Sequence, residues 1–245
     1  DCISPTIGYP MKGLFVVFEG GEGSGKSTQA RLLYARMQRQ GIQSILLHEP
    51  GGTSLGEQIR RLLTAERGES QRRHGNHQNA MAPLAELLLF SAARAELTNK
   101  ILRPTLDNGQ IVICDRFTPS TVAYQGYGRG LPGYVIDQVN ELAIGGLKPD
   151  LVILLDMPPE DALRRVSAQT TMLLEEPIDA GAKRRDNDGQ RRFEQEPLRF
   201  HHDVRRGYLA QAQAEPQRWL VIDGALQQAD IEEIIWDKVE SLLKD

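Results

Sequence analysis

Residues 20–27 form a glycine-rich run that ends in a lysine and a hydroxyl residue, Gly-Gly-Glu-Gly-Ser-Gly-Lys-Ser. The run matches the pattern G-x-x-x-x-G-K-[ST] and lies between an apolar segment and an amphipathic one, the strand–loop–helix setting in which the pattern binds phosphate. Glycines let backbone N–H groups point at phosphate oxygens, and the helix N-terminus adds unpaired donors. Lys26 can bridge the β- and γ-phosphates, and the Ser27 hydroxyl suits Mg²⁺. We therefore predict a binding site for ATP and Mg²⁺ at Gly20, Gly21, Glu22, Gly23, Ser24, Gly25, Lys26, Ser27 and Thr28.

A phosphate loop alone does not identify the reaction, because unrelated functions share it. A GTP-dependent switch would also need a guanine-reading motif of the Asn-Lys-x-Asp type. The nearest string, residues 99–102, lacks the aspartate and lies in a predicted helix. The D-x-x-G string at 186–189 lies in a basic loop rather than after a strand. The sequence therefore argues against a switch protein.

Phe90 and Arg94 stand four residues apart in the helical segment Leu-Phe-Ser-Ala-Ala-Arg, and so share one helix face. An aromatic ring beside a guanidinium suits a flat heterocycle, which the ring can stack on while the guanidinium donates hydrogen bonds. Taken alone the pair is weak, since most helical phenylalanines belong to a core and most arginines are solvated. It becomes a candidate base site only together with the phosphate loop.

Two further segments carry charge where phosphates could bind. Asp115 and Arg116 follow a predicted strand, at the sheet edge where open α/β proteins bind ligands. The aspartate could hold Mg²⁺ or its waters, and the arginine could clamp an acceptor phosphate. Residues 183–192 contain five basic residues in ten, typical of either a mobile lid over phosphates or an ordinary solvated loop.

Short apolar runs alternate with longer amphipathic stretches along the chain, which predicts an α/β fold: a five-stranded parallel sheet flanked by helices in three layers, with a mobile basic lid. The predicted strands are 14–18, 44–47, 110–114, 151–155 and 219–222. The predicted helices are 26–40, 55–63, 83–107 with a possible bend at Pro104, 119–143 interrupted by glycines, 160–168, 193–214 and 230–243.

We expect one domain built around the phosphate loop over residues 11–245, preceded by a disordered extension at 1–10. Two polar segments interrupt the pattern, an insertion at 65–82 and the lid at about 169–192. His74 and His77 in the insertion have a spacing that a metal could use, but no third ligand lies near them in sequence, which favours a solvated loop.

Composition excludes several classes of protein. A net charge of −4 gives no general attraction for nucleic acid or an anionic membrane surface. Two cysteines, Cys2 and Cys114, provide neither a disulfide framework nor a cysteine-based zinc site, and we expect Cys114 to be a buried free thiol. No apolar run approaches the length of a membrane span, and no signal peptide is evident, so we expect a cytoplasmic protein.

The order of these motifs from about Met11 to Leu243 resembles the thymidylate kinase family of P-loop nucleoside monophosphate kinases. The phosphate loop is followed by Glu-Pro-Gly-Gly-Thr at 49–53, Leu-Phe-Ser-Ala-Ala-Arg at 89–94, Asp-Arg-Phe at 115–117, then Ser-Thr at 120–121 and Ala-Tyr-Gln-Gly at 123–126. The resemblance implies phosphorylation of dTMP to dTDP with ATP and Mg²⁺, and a homodimer.

The resemblance also implies roles for single residues on the acceptor side. The ring of Phe90 would stack on thymine, and Arg94 would read the base's O4. Arg116 would hold the dTMP phosphate, and Glu22 would contact the sugar 3′-hydroxyl. Thr121 and Gln125 fall in the stretch that lines the base pocket.

Catalysis and metal binding would then fall to a second set of residues. Some family members carry a catalytic arginine in the phosphate loop, where this chain has Gly23, so the transition-state charge must be met by another cation. Arg192 is the closest match to the family's lid arginine, with Arg184 and Arg185 as rivals; relatives commonly have arginine where this chain has His48. The predicted catalytic residues are Lys26, Asp115, Arg116 and Arg192, and the predicted metal ligands are Ser27 and Asp115.

Two alternatives stay open at the level of sequence. One is a P-loop kinase for another nucleotide or a nucleoside, which a panel of acceptors would distinguish. The other is a P-loop ATPase or switch module acting on protein partners, whose ATP turnover would be indifferent to dTMP.

Overall fold

A computed structural model describes residues 13–64, 81–175 and 191–244, with side chains described throughout except at 169–175 and 191. Five parallel strands form one sheet in the order β2-β3-β1-β4-β5. This confirms the predicted α/β fold. The strands are β1 (Phe15–Glu19), β2 (Ser44–His48), β3 (Ile111–Asp115), β4 (Leu151–Asp156) and β5 (Trp219–Asp223).

Helices connect the strands and cover both faces of the sheet. Two π-helical turns, Thr98–Leu102 and Val122–Gly128, extend neighbouring α-helices. The α-helices are α1 (Lys26–Arg39), α2 (Ser54–Thr64), α3 (Pro83–Leu97), α4 (Arg103–Asp107), α5 (Thr118–Thr121), α6 (Gly133–Ile144), α7 (Pro159–Glu175), α8 (Arg191–Glu194), α9 (Leu198–Ala214) and α10 (Gln228–Lys244).

The central strand β1 is buried along its whole length, which explains why it is apolar at consecutive positions rather than at alternate ones. Val16 and Phe18 pack in a core with α1 and α10, on one face of the sheet. Phe15 and Val17 pack in a second core on the other face, where Leu97 and Phe117 lie. Among the described residues, both faces of the sheet are therefore covered by helices, which leaves the ends of the strands for a ligand.

The phosphate loop lies at the carboxyl ends of the central strands, the edge of the sheet at which we predicted ligand binding. The register pairs Phe18 of β1 with Asp115 of β3, and Glu19 with Leu154 of β4. The phosphate loop at residues 20–25 leaves β1 at this edge, and Arg116 leaves β3 beside it. Topology alone thus brings together two motifs that lie about ninety residues apart in the chain.

The helices differ from their predicted bounds at three places. Helix α7 continues to Glu175, through a stretch that we assigned to the lid. Pro104 does not interrupt the helical path, because it lies in the first turn of α4, after a π-helical turn, where a missing N–H costs little. The predicted helix 193–214 is two helices that end and begin around Pro197, which caps α9.

Several predicted features lie outside the described residues: the extension at 1–10, most of the insertion with His74 and His77, and the lid core with Arg184 and Arg185. Cys114 is described, and it is a buried free thiol as predicted. Within the described ranges, none of the helices combines the length and the hydropathy that crossing a bilayer requires.

Candidate active site

Three glycines of the phosphate loop, Gly20, Gly23 and Gly25, have positive φ angles, a conformation that favours glycine. Gly20 and Gly23 have φ angles of 145° and 76°. A Cβ atom at Gly20 would lie 2.7 Å from the carbonyl oxygen of Leu155, and one at Gly23 would lie 2.2 Å from that of Ala162. The close contact at Gly23 excludes any side chain there, including the arginine that some relatives carry in this loop.

Lys26 lies inside the loop rather than in solvent. Its ammonium donates to the carbonyl oxygen of Gly21 at 3.2 Å and lies 3.8 Å from a carboxylate oxygen of Glu22. Burial, reinforced by the positive charge of Arg116, lowers the pKa of Lys26, while Glu22 and Asp115 oppose that shift. The lysine is therefore already positioned inside the loop that would surround a phosphate chain.

Ser27 and Asp115, the two predicted metal ligands, contact each other. The Ser27 hydroxyl donates a short hydrogen bond to Asp115 Oδ2, while Asp115 Oδ1 is buried without a hydrogen-bond partner among the described residues. A hydroxyl and a carboxylate with an unused oxygen suit a hard cation that keeps several waters and phosphate oxygens as ligands. Residues 13–64, 81–175 and 191–244 contain no group of three or more acidic, histidine or cysteine side chains that could hold a metal by themselves.

Arg116 connects the phosphate loop to the acceptor side of the site. Its guanidinium donates to Glu22 at 2.8 Å, to the Tyr124 hydroxyl at 3.1 Å and to the Tyr208 hydroxyl at 3.0 Å. Burial would raise the pKa of Glu22, but the positive charges of Arg116 and Lys26 outweigh it and hold that pKa at about 2. The predicted acceptor residues Glu22 and Arg116 are therefore a charged pair before any ligand arrives.

Glu19, the last residue of β1, is a site residue that the sequence analysis missed. Its carboxylate is fully buried and accepts hydrogen bonds from the Phe117 amide at 2.9 Å, from the Ser120 hydroxyl at 2.6 Å and from the Tyr208 hydroxyl at 2.9 Å. Burial raises the pKa of Glu19, although the charge of Arg116 and these hydrogen bonds act to lower it. These bonds fix the backbone after β3, where Arg116 has a φ of 75°. The sequence signal that could have identified Glu19 is an acidic residue at the end of an otherwise apolar strand.

Arg94 is fully buried, not solvated. It donates to Glu49 at 2.7 Å, to the Asn140 side chain at 3.0 Å and to the Phe117 carbonyl oxygen at 3.3 Å. Burial raises the pKa of Glu49 to about 7, although Arg94 acts in the opposite direction. Three of the five guanidinium N–H groups are thus committed, which leaves two for a ligand. Glu49 was quoted as part of a motif, but its role as the partner of Arg94 was not foreseen.

Of the other predicted base-pocket residues, Phe90 lies on α3 and Gln125 contacts that helix. Phe90 is half-buried, with its ring centroid 6.3 Å from that of Phe193. Gln125 is buried and donates to Glu86 at 2.7 Å. Thr121 is also buried, and its hydroxyl has no partner among the side chains and backbone that the structure describes. An uncommitted hydroxyl and a fixed amide are suited to hydrogen bonding a flat ring.

Arg192, the predicted lid cation, contacts α2 and α3. Its guanidinium donates to Glu86 of α3 at 2.5 Å and to the Leu63 carbonyl oxygen of α2 at 2.9 Å. Its catalytic role stays a prediction. His48 lies on the surface 3.1 Å from a carboxylate oxygen of Glu57, and the structure gives it no contact with the loop.

Comparison with known proteins gives one consistent result. The family model described as thymidylate kinase matches residues 18–235. The chain belongs to the thymidylate kinase family. Thymidylate kinase of Synechococcus sp. strain JA-2-3B'a(2-13) is 44% identical over 94% of this chain and 96% of its own length. That of Dehalococcoides mccartyi strain 195 is 44% identical over 94% and 98%.

A solved structure agrees with the sequence comparison. The crystal structure of thymidylate kinase from Ehrlichia chaffeensis matches 86% of this chain and 93% of its own, with 33% identity and a TM-score of 0.62. Membership of the family makes this protein a nucleoside monophosphate phosphotransferase with ATP as the phosphate donor, and confirms the resemblance drawn from the order of the motifs.

The buried contacts of Arg94 generate a prediction for Arg94→Lys. Lysine keeps the charge but cannot donate to Glu49, Asn140 and a ligand in fixed directions. We expect the dissociation constant for dTMP to rise by about tenfold, roughly 1.4 kcal/mol, while that for ADP changes by less than about twofold. Isothermal titration calorimetry measures both.

The matched control is Arg103→Lys, since the acceptors of Arg103 among the described residues are the carbonyl oxygens of Ile144 and Gly145, outside the site. It should leave both affinities unchanged. Equal dTMP affinity in the Arg94 variant and the wild type would contradict the placement of Arg94 in the base pocket.

Proposed function

We propose that this protein transfers the γ-phosphoryl group of ATP to the 5′-phosphate of dTMP, giving ADP and dTDP, by in-line displacement at the carboxyl edge of its sheet. Family membership supports the reaction. The observation that carries the residue assignments is the 2.8 Å ion pair of Arg116 and Glu22, because it joins the phosphate loop to the segment after β3. A donor held by the loop and an acceptor held by Arg116 would then lie side by side.

The transfer step requires correct positioning of the two substrates rather than a strong general base. The attacking oxygen of dTMP is already anionic, so catalysis rests on alignment and on neutralising charge. Lys26 would bind the β- and γ-phosphates, and Arg116 the acceptor phosphate. Glu22, which stays ionised because of Arg116 and Lys26, would accept a hydrogen bond from the 3′-hydroxyl of the sugar.

Thymine would be recognised by two side chains of α3 and by two from the helical segment at residues 118–128. Phe90 would stack on thymine, and Arg94 would donate one of its two uncommitted N–H groups to O4. Thr121 and Gln125 would supply the remaining hydrogen bonds. The support for this arrangement is that Phe90 and Arg94 lie on α3 and that Gln125 binds Glu86 of the same helix, while the buried hydroxyl of Thr121 has no hydrogen-bond partner among the described residues.

Ser27 and Asp115 would hold Mg²⁺ together with the phosphates of ATP. The bound ion would neutralise charge on the β- and γ-phosphates and fix their orientation. The support is the buried, unpartnered Oδ1 atom of Asp115 next to the Ser27 hydroxyl. An aspartate in this position would otherwise leave a charged oxygen buried at considerable cost.

A further cation must meet the charge of the transition state, since Gly23 has no space for an arginine. We assign this role to the lid, with Arg192 as the candidate. To reach the phosphates Arg192 would have to exchange its contact with Glu86 for one with the donor. Arg184 and Arg185 remain the alternative sources of this charge.

A panel of acceptors tests the proposed reaction. With Mg·ATP, we expect ADP release to be stimulated by dTMP, with a kcat of about 1–100 per second, and far less by dCMP, UMP and thymidine. Coupled spectrophotometric assay of ADP measures this. ATP turnover that does not depend on dTMP, or equal activity on dCMP or UMP, would reject the assignment.

The metal site predicts a change in the magnesium requirement of Asp115→Asn. The amide keeps the shape and can accept from Ser27, but it lacks the charge that binds a hard cation. We expect the Mg²⁺ concentration for half-maximal rate to rise by about tenfold or more. As a control, Asp137→Asn alters an aspartate of α6, outside the site, and should not change it. An unaltered requirement in Asp115→Asn would exclude this residue as a ligand.

We also propose that the protein forms a homodimer through α2 and α3. The resemblance implies a dimer, and these two helices pack on each other. Leu55 and Leu62 of α2 and Leu84 and Leu88 of α3 are exposed, each pair at a spacing that repeats on one helix face. Together they make an apolar surface of the kind that a second copy would cover.

Leu88→Glu tests the dimer by placing a charge in this surface. We expect the wild type to sediment as a dimer at micromolar concentration and the variant as a monomer. Leu226→Glu makes the same change at an exposed leucine beyond β5 and should leave the dimer intact. A monomeric wild type, or a dimeric Leu88 variant, would rule out this interface.

A further inference from the structure

Glu86 is a buried carboxylate that none of the predicted motifs includes. It lies on α3 one helical turn before Phe90, and its side chain is fully excluded from solvent. Its Oε1 atom accepts from Gln125 at 2.7 Å and from Arg129 Nε at 3.2 Å. Its Oε2 atom accepts from Arg192 at 2.5 Å and from Arg129 Nη2 at 3.4 Å. Both carboxylate oxygens are therefore fully used by groups from other parts of the chain.

The charge of Glu86 is balanced by its neighbours. Arg129 and Arg192 provide two positive charges. Glu196, which accepts a hydrogen bond from Arg129 at 2.8 Å, adds a second negative charge, so the four side chains are neutral as a group. Arg129 also lies 4.7 Å above the ring of Phe200. An unpaired buried carboxylate would be strongly unfavourable, whereas this group satisfies each charge with hydrogen bonds. Glu86 is consequently fixed in place by both arginines.

Gln125 is the one member of this group that also belongs to the proposed base pocket. A glutamine amide can take two orientations that differ only by exchange of its oxygen and nitrogen. An ionised carboxylate accepts but cannot donate, so Glu86 binds the amide nitrogen and directs the carbonyl oxygen away from itself. The orientation of Gln125 is therefore decided by Glu86, not by the ligand.

We propose that Glu86 is a positioning residue for the acceptor: it fixes the Gln125 amide in the one orientation that is complementary to the pyrimidine ring of dTMP. The inference rests on the proposed function and adds to it a residue that does not touch the substrate. Glu86 acts through Gln125, so removing its charge weakens binding of dTMP and leaves binding of ATP unchanged.

The test is steady-state kinetics of Glu86→Gln in a wild-type background already shown to phosphorylate dTMP. Glutamine keeps the size of the side chain but can present either an oxygen or a nitrogen to Gln125. We expect the KM for dTMP to rise by about tenfold, while the KM for ATP stays within about twofold; kcat is not the readout, because Glu86 also binds Arg192. A merely structural role would lower the melting temperature without separating the two KM values.

A double variant shows whether the effect passes through Gln125. Independent residues change KM by factors that multiply, whereas residues that act as one unit do not. In a Gln125→Leu background we expect Glu86→Gln to add less than about twofold to the KM for dTMP. Factors that multiply, or an unchanged KM in the single variant, would overturn the proposal.

Two further variants complete the experiment. Glu196→Gln is the matched control, because Glu196 is the other carboxylate that binds Arg129 and it is not bonded to Gln125 in the described structure. The KM of this variant for dTMP should equal that of the wild type.

Glu86→Asp keeps the charge facing both arginines while shortening the reach to Gln125. It tests the proposal even where Glu86→Gln fails to fold, and it too should raise the KM for dTMP; a wild-type KM would contradict the inference.

Discussion

The buried ion pair of Arg116 and Glu22 is the interaction on which the rest of the site depends. It joins the loop after β1 to the turn after β3, and it is completed by hydroxyl groups of Tyr124 and Tyr208 from two other elements. A buried guanidinium and carboxylate are stable only when their hydrogen-bonding groups are satisfied. The protein meets this condition before any nucleotide is bound, so the groups that would hold the acceptor do not have to be assembled by it.

This pair sets conditions on the backbone around it. Arg116 is the one non-glycine residue with a positive φ angle in the described part of the chain, a conformation that is costly for a side chain of its size. Glu19 offsets that cost by accepting hydrogen bonds from the amides of Phe117 and Ser120, directly after the strained residue. The end of β1 thus stabilises the backbone turn from which Arg116 extends, directly after β3.

Sequence predicted the parts of this molecule that depend on local pattern. The continuous apolar run at residues 14–18 correctly predicted a central strand buried on both faces. The phosphate loop was recognisable because a single short loop fixes the spacing of its glycines, lysine and serine. The contacts that define the acceptor side could not be predicted in this way. Glu49 and Arg94 lie 45 residues apart, and Glu86 and Arg192 lie 106 apart, so their pairing is a property of the folded chain alone. Arg192 was assigned to the donor phosphates from its motif, and no pattern could reveal that a carboxylate on α3 binds it.

The balance of charge around the loop explains why cations from outside it are needed. The charged side chains at this end of the sheet are Glu19 of β1, Glu22 and Lys26 of the loop, Asp115 of β3 and Arg116 directly after it. The first three are buried, and Asp115 and Arg116 are partly exposed. Two cations thus face three carboxyl groups, of which Glu22 is held ionised and Glu19 is favoured toward its neutral form by burial. A site of this kind gives little net attraction for two highly charged phosphate chains. Because Gly23 leaves no space for an arginine in the loop, the balancing charge has to arrive with the donor or come from a segment that is distant in sequence. In the proposed mechanism, the backbone geometry at Gly23 is therefore the reason that a cation from outside the loop would stabilise the transition state.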